Sequence, residues 1–291
     1  MNRIFAFIVL SLPIASYSAN FTIPNGDVSS FISALQTANG NDEADTIFLA
    51  LGGLYTFTTA NNTINNDGPN ALPAITNDVA GLDLVIIGNG ATLQRSGPND
   101  IRCLYLNGGP ELKIFDLNFH NFRTSVFKGG AICAKFQNTV LTVSGCTFTN
   151  NVCAATGAED GGGAIRVHQA ELTVLNCTFL NNQGNDGGAI KSLQSELVVE
   201  DSYFAGNQAL STLTNSNGGG AISVDGAKAT NGSVSISRSE FHNNLSMYQG
   251  GALMLFFYNQ QHCTLTDCYF DSNRAQKPAS IQGPNWGFGG G

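Results

Sequence analysis

Residues 172–190 read Leu-Thr-Val-Leu-Asn-Cys-Thr-Phe-Leu-Asn-Asn-Gln-Gly-Asn-Asp-Gly-Gly-Ala-Ile, and this stretch decides the fold. The side chains of a β-strand alternate between its two faces. Leu172 and Val174 share one parity, whereas Cys177 and Phe179 share the opposite one. All four can point into one core only if the chain turns a corner between Val174 and Cys177. The stretch therefore predicts two short strands that meet at a corner, followed by a glycine turn and a third strand.

The same pattern recurs along the chain, and Leu112–Phe119 is a weaker early copy. Gly-Gly-Ala-Ile/Leu begins at residues 129, 162, 187, 219 and 250, and Phe-x-x-Asn begins at residues 148, 179, 204, 241 and 270. The predicted corners are Ser144-Gly145, Leu175-Asn176, Glu200-Asp201, Ser237-Arg238 and Thr266-Asp267. One such coil cannot bury its own apolar face, so coils must stack with parallel strands about 4.8 Å apart.

We therefore predict an all-β fold, a right-handed parallel β-helix in the form of a three-sided β-solenoid. The right-handed sense follows from the usual chirality of parallel crossovers. Each coil is expected to hold three short strands and three corners. An antiparallel sandwich is the alternative architecture, and the constant spacing inside each repeat argues against it.

Equivalent positions in successive coils are expected to lie above one another. The aromatic column is Phe148, Phe179, Phe204, Phe241 and Phe270. The amide column, where Asn also tolerates a left-handed backbone, is Asn151, Asn182, Asn207, Asn244 and Asn273. A third, inward column is Cys146, Cys177, Ser202, Ser239 and Cys268. A disulfide between Cys146 and Cys177 is compatible with the coil spacing, but small buried thiols that fill the column are the favoured interpretation.

The chain divides into four predicted segments. Residues 1–18 are predicted to be a signal peptide, with positively charged Arg3 followed by an apolar run too short to span a bilayer. Residues 19–80 are predicted to cap the open end of the solenoid, which would otherwise expose apolar core and unpaired strand edge. This cap should contain one short helix, because Phe31, Ala34, Leu35 and Ala38 have helical spacing. Residues 81–275 form the coils, and residues 276–291 form a Gly-rich tail.

The composition argues against several classes of partner. The chain has 34 Gly, a net charge of −8 and only 13 Lys and Arg in 291 residues. Binding to nucleic acid needs clustered basic charge, so no nucleic-acid partner is expected. No stretch has the roughly 20 apolar residues of a transmembrane helix. The seven cysteines form no Cys-x-x-Cys pair and no phosphate loop is present, so we expect no metal and no cofactor. A monomer is expected.

Four residues are candidates for a catalytic or sugar-binding cluster, although no catalytic residue is assigned. Asp160 and Asp186 each lie shortly before a Gly-Gly-Ala motif and could stack at one corner. Arg166 and Lys191 follow those motifs in a column that should face outward, with His168 nearby, and a uronate would be attracted to such cations. The favoured interpretation is ordinary turn aspartates and solvated basic residues, because equivalent positions in later coils lack these charges.

The repeats resemble those of the chlamydial polymorphic outer membrane proteins. Several short stretches also resemble the N-terminal part of bacterial envelope β-helix proteins of the CSLREA-domain type: Ala44-Asp45-Thr46-Ile47, Ala71-Leu72-Pro73 and Ile87-Gly88-Asn89-Gly90-Ala91. The naming hexapeptide of that type is absent. The resemblance covers about residues 28–275 and implies a surface protein, often an autotransporter passenger with a role in adhesion. No C-terminal membrane domain of an autotransporter is predicted after residue 275, so we expect a fragment, a truncated product or a freely secreted relative.

These observations lead to two functional expectations. The first is an exported, non-catalytic β-helix protein of the cell envelope or surface, similar to an adhesin or an autotransporter passenger. Its partner would be a host or envelope surface ligand, with polysaccharide among the candidates. The alternative is a polysaccharide lyase or glycoside hydrolase of the pectate-lyase-like β-helix class, because β-helices also carry such enzymes and fold alone does not decide function.

Overall fold

The computed structural model describes residues 18–41, 43–76, 83–157, 159–210, 218–247 and 249–276. The predicted signal peptide and the predicted Gly-rich tail, apart from Ser18 and Gln276, lie outside the described residues. The described chain is a parallel β-solenoid of about eight turns, so the predicted fold class is confirmed.

Three parallel sheets form the sides of the solenoid, and we name them in the order in which a coil passes through them. Sheet I has 15 strands: Asn20–Ile23, Asp45–Leu49, Leu54–Phe57, Asp83–Arg95, Glu111–His120, Val140–Ser144, Thr147–Thr149, Glu171–Leu175, Thr178–Leu180, Glu196–Glu200, Tyr203–Ala205, Ser233–Ser237, Glu240–His242, His262–Thr266 and Tyr269–Asp271. Sheet II has six: Arg123–Thr124, Val152–Cys153, Gln183–Gly184, Gln208–Ala209, Leu245–Ser246 and Arg274–Ala275. Sheet III has seven: Ile75–Thr76, Leu104–Asn107, Ile132–Lys135, Ile165–His168, Ile190–Leu193, Ile222–Asp225 and Leu253–Phe256.

Neighbouring coils pair in parallel within each sheet, which excludes the antiparallel sandwich. The two strands on either side of each predicted corner both belong to sheet I. They form one sheet because Asp83–Arg95 and Glu111–His120 each pass through the corner as a single strand. Sheet II is an addition to the three predicted strands per coil. Its two-residue strands lie between the Phe-x-x-Asn motif and the glycine turn.

Each coil has four corners rather than the predicted three, and one residue with positive φ marks each of them. In the coil that begins at Glu171 these are Asn176 (φ 51°), Asn181 (φ 54°), Gly187 (φ 67°) and Gln194 (φ 46°). The predicted first corner is confirmed in every coil, since positive φ occurs at Gly145, Asn176, Asp201, Arg238 and Asp267. Most of these residues are Gly, Asn or Asp, which tolerate a left-handed backbone best, whereas Gln194 and Arg238 adopt it against the usual preference.

The predicted aromatic column is confirmed and begins one coil earlier, at Phe119. Adjacent rings from Phe119 to Phe270 lie 4.6–4.9 Å apart between centroids, with planes 1–8° from parallel. Phe179 and Phe204 are the most nearly parallel pair, at 4.6 Å and 1°. The rings are buried in the core, except for the partly buried Phe270 in the last coil. Burial of aromatic area is therefore shared between coils and stabilises them only when they stack in register.

The amide column forms the predicted hydrogen-bonded ladder. Asn182 Nδ2 donates to Asn207 Oδ1 at 3.0 Å and to the carbonyl of Phe148 at 2.9 Å, and its backbone N–H donates to the same Oδ1 at 3.0 Å. The same three bonds recur at Asn151, Asn207 and Asn244. The left-handed residue at this corner is the one before each ladder asparagine, such as Asn181, and not the ladder residue itself.

All seven cysteines are free thiols, so Cys146 and Cys177 form no disulfide. Cys177 Sγ lies 3.2 Å from the carbonyl of Leu175. In the next coil Ser202 Oγ occupies the equivalent place, donates to the Glu200 carbonyl at 2.8 Å and accepts from the Cys177 N–H at 3.1 Å. Buried thiols and hydroxyls therefore fill the column interchangeably, as the favoured interpretation predicts.

The helix Val28–Ala38 is found within the predicted cap. Asp27 caps its N-terminus by accepting a hydrogen bond from the Ser30 N–H at 2.9 Å. The predicted apolar face is confirmed, since Phe31, Ala34, Leu35 and Ala38 are buried. Two strands that follow the helix pair in parallel with Asp83–Arg95, so sheet I continues into this segment. The boundary at residue 80 stays a prediction.

We expect Phe204→Ala to lower the free energy of unfolding by about 3–5 kcal/mol, because it leaves a cavity between two stacked rings. Tyr203 is the matched control: it lies next in sequence, faces outward and is 38% exposed. Tyr203→Ala should cost less than about 1 kcal/mol. Urea denaturation followed by circular dichroism measures both. Equal losses in the two variants would contradict a stabilising stack.

Candidate functional site

The sequence candidates converge on the outer side of sheet III. In the strand Ile165–His168, Ile165 and Val167 belong to the core, so Arg166 and His168 lie on the opposite side. Arg166 pairs in register with Lys191 of the next coil. The predicted outward column is therefore present, but it is not solvated: Arg166 is 1% exposed and Lys191 is fully buried. The expectation of solvated basic residues was wrong for these two.

Lys191 and Asp186 form a fully buried ion pair. Lys191 Nζ donates to Asp186 Oδ2 at 2.6 Å and lies 3.2 Å from Ser223 Oγ, and neither charged side chain has any exposure. The glycine turn at Gly187 returns the chain so that the side chain at position 186 meets the one five residues later. Burial raises the pKa of Asp186, and the Lys191 cation opposes that rise. Asp186 Oδ1 has no hydrogen-bond partner within the described parts of the chain.

Asp160 does not stack on Asp186, contrary to the prediction. Gly161 is the residue that pairs with Asp186, so Asp160 lies one position away from the expected register. Its carboxylate accepts a hydrogen bond from the Gly157 N–H at 2.7 Å and lies 3.4 Å from Lys128 Nζ. The side chain is 14% exposed. Asp160 therefore stabilises its own loop, whereas Arg166, Asp186 and Lys191 are buried on the outer side of sheet III.

A second buried arginine, Arg102, has no counterpart in the repeat pattern, and the sequence analysis assigned it no role at a site. Its Nε donates to the carbonyls of Lys128 and Gly129 at 3.1 and 3.0 Å. Nη1 donates to Asn70 Oδ1 at 2.7 Å, and Nη2 donates to the carbonyls of Asp67 and Lys128 at 2.8 and 2.6 Å. Its charged head is thus surrounded by acceptors.

The hairpin formed by Asn62–Ile64 and Gly68–Asn70 covers one end of the outer side of sheet III. Asp67, in its turn, accepts hydrogen bonds from Tyr105 Oη and Lys135 Nζ, both at 2.7 Å. Burial opposes ionisation of Asp67, but these two bonds prevail and lower its pKa. The two hydrogen bonds hold the hairpin against the strands of sheet III that carry Tyr105 and Lys135.

His168 lies among cations. Burial, and then the charges of Arg166, Lys135 and Lys128, lower its pKa to about 4. Its imidazole is therefore neutral at physiological pH and adds no positive charge to this side of the solenoid.

A polar groove lies beside this surface, at the corner where each coil leaves sheet III. We call it the amide groove; it has a volume of about 500 Å³ and is lined by Gln137, Gln169, Gln194, Ala227, Lys228, Ala229, Thr230, Tyr258, Asn259 and Gln261. Gln169 Nε2 donates to Gln194 Oε1 at 3.2 Å, which aligns two of the amides along the coil axis.

Two loops form a wall of the amide groove, and their geometry is fixed by hydrogen bonds. Gln261 Nε2 donates to the carbonyls of Ala227 and Ala229, both at 2.8 Å. Tyr258 is 45% exposed, and its hydroxyl donates to Asp225 Oδ1 at 2.7 Å. The exposed ring is thus held in one position.

Neither a cluster of metal ligands nor a membrane-spanning helix is found in the described parts of the chain. No group of three or more His, Cys, Asp or Glu side chains there could hold a metal ion. No helix there has the length and apolar character needed to cross a membrane.

The buried ion pair gives a double-mutant prediction. Asp186→Asn and Lys191→Met should each lower the free energy of unfolding by about 3–5 kcal/mol, because each leaves one buried charge unpaired. The double variant should lose less than the two single losses combined. The exposed pair of Arg238 and Asp201 is the control and should show little coupling. Chemical denaturation of the four proteins measures the coupling, and additive losses at Asp186 and Lys191 would contradict it.

Comparison with known protein families gives a match to part of the repeat region. A family model described as Chlamydia polymorphic membrane protein (Chlamydia_PMP) repeat matches residues 176–192 and 201–225. The two segments cover the same part of two successive coils. Each contains the sheet I strand that follows the first corner, then the ladder asparagine, and then the strand of sheet II. No curated protein and no solved structure gave a significant match. The resemblance to chlamydial polymorphic membrane protein repeats is therefore confirmed over these two segments, and it indicates a β-helix of the surface or envelope class.

Proposed function

We propose that this protein is exported and presents its solenoid at the cell surface as a non-catalytic binding protein, in the manner of an adhesin. The match to repeats of a polymorphic membrane protein family supports the surface location. The predicted signal peptide at residues 1–18 agrees with it. A stack of similar coils offers a long, stiff surface, which is what a ligand-presenting protein requires.

The amide groove is the observation that supports the binding role. Its glutamine side chains supply both donors and acceptors, and Gln169 and Gln194 occupy the same corner position in adjacent coils. Tyr258 adds an exposed aromatic face whose position is fixed by its bond to Asp225. Such a combination suits an extended polar polymer, because hydroxyl groups bond to amides while a sugar ring packs on the aromatic face. A polysaccharide is therefore the ligand class that we propose.

The geometry supports a binding role better than a lyase or hydrolase role. Three of the four candidate residues do lie together, on one side of sheet III, as an enzyme would require. Lys191 and Asp186 are, however, fully buried and paired with each other, and Arg166 is almost fully buried. A glycoside hydrolase needs two carboxyl groups that reach the scissile bond. Polysaccharide cleavage remains the competing outcome of the binding experiment.

Export is tested with the whole chain produced in a Gram-negative host. We expect the purified product to lack residues 1–18 by mass spectrometry, and we expect external protease to degrade it on intact cells. A cytoplasmic product that retains Met1 would contradict the proposal.

Binding is tested with immobilised neutral and acidic polysaccharides. Gln194→Ala and Tyr258→Ala should each weaken binding about tenfold or more, as expected for central contacts. Gln208→Ala, which removes an exposed amide from sheet II, is the matched control and should bind as the unmodified protein does.

Two outcomes would overturn the binding proposal. Absence of binding, or equal loss in all three variants, would remove the amide groove as the site. Release of unsaturated or shortened oligosaccharides would favour the enzymatic alternative.

A further inference from the structure

Arg166 differs sharply from the other buried arginine. Arg102 directs its donors at carbonyl and amide oxygens within 3.1 Å. Arg166 is 1% exposed, yet its Nε and Nη1 atoms have no hydrogen-bond partner among the described residues. A buried guanidinium whose Nε and Nη1 lack acceptors is costly, because these donors lose hydration without gaining hydrogen bonds in return.

The coil register explains why Arg166 has no carboxylate partner. Lys191 meets Asp186, which precedes it by five residues across the glycine turn. The equivalent residue for Arg166 is Gly161, which pairs with Asp186 in register. A Cβ at Gly161 would lie 1.6 Å from the Asp186 carbonyl oxygen, so no side chain fits there. Arg166 therefore has no carboxylate five residues before it, at the place where Asp186 stands relative to Lys191.

The neighbouring cations each have their own carboxylate. Lys135 pairs with Asp67 at 2.7 Å, and Lys128 lies 3.4 Å from Asp160. Lys191 uses Asp186. Among the described residues, no carboxylate forms an ion pair with Arg166. One positive charge on the outer side of sheet III is therefore left without compensation.

We propose that Arg166 binds a small free anion, a halide or a simple carboxylate, on the outer side of sheet III. An anion supplies the acceptor that the buried guanidinium lacks and neutralises its charge. A small free ion suits a side chain that is 1% exposed better than the acidic groups of a polymer do. The inference does not depend on the proposed polysaccharide binding, because the amide groove uses other residues.

Thermal unfolding with increasing bromide or acetate tests the site. An anion that binds only the folded protein raises its melting temperature, by about 5 °C at an anion concentration of about 100 times the dissociation constant. Arg166→Met should abolish this rise and should be at least as stable as the unmodified protein without anion. Arg238→Met, which removes an exposed arginine, is the control and should keep the rise.

Several outcomes would overturn the anion site. The first is no rise in the unmodified protein with either anion, and the second is an equal rise in Arg166→Met. A crystal grown in bromide gives a test that does not rely on any variant. We expect an anomalous peak within hydrogen-bond distance of Arg166 Nε or Nη1. Bromide found only at other places would refute the proposal.

Discussion

Register between successive coils is the constraint on which the rest of the structure depends. Each aromatic ring is buried between the rings above and below it, at 4.6–4.9 Å. Each ladder asparagine satisfies a backbone N–H and a side-chain amide of its neighbour. A slip of one residue would turn the core side chains outward and would break the amide ladder at the same time. Apolar burial and polar satisfaction therefore select the same register.

The same register also decides the chemistry on the outer side of sheet III. It places Arg166 directly beside Lys191, which brings two cations into adjacent coils. It places Gly161 rather than Asp160 beside Asp186, so only one of the two cations obtains a carboxylate. The charge pattern of the buried surface is thus a consequence of coil alignment and of the loop that precedes each glycine turn.

The repeat made the coil predictable, because Phe and Asn at fixed spacing report both strand parity and corner position. The first corner, the aromatic column and the amide ladder follow from that spacing alone. The two-residue strands of sheet II carry no apolar alternation and therefore gave no signal. Burial of Arg166 and Lys191 was missed because the repeat pattern reports which side of a strand faces the core and not what covers the outer side. Asp67 lies in a hairpin that sequence periodicity does not reveal, and it binds this hairpin to sheet III through hydrogen bonds with Tyr105 and Lys135. Asp160 was misplaced because loop length before the glycine turn varies between coils.

A crystal structure of the protein tests the in-register stacking most directly, through the distance between the Phe179 and Phe204 rings and the direction of the strands that carry them. The account predicts parallel strands and stacked rings with centroids 4.6 Å apart. Neighbouring strands that run in opposite directions, or rings that are not in contact, would contradict it.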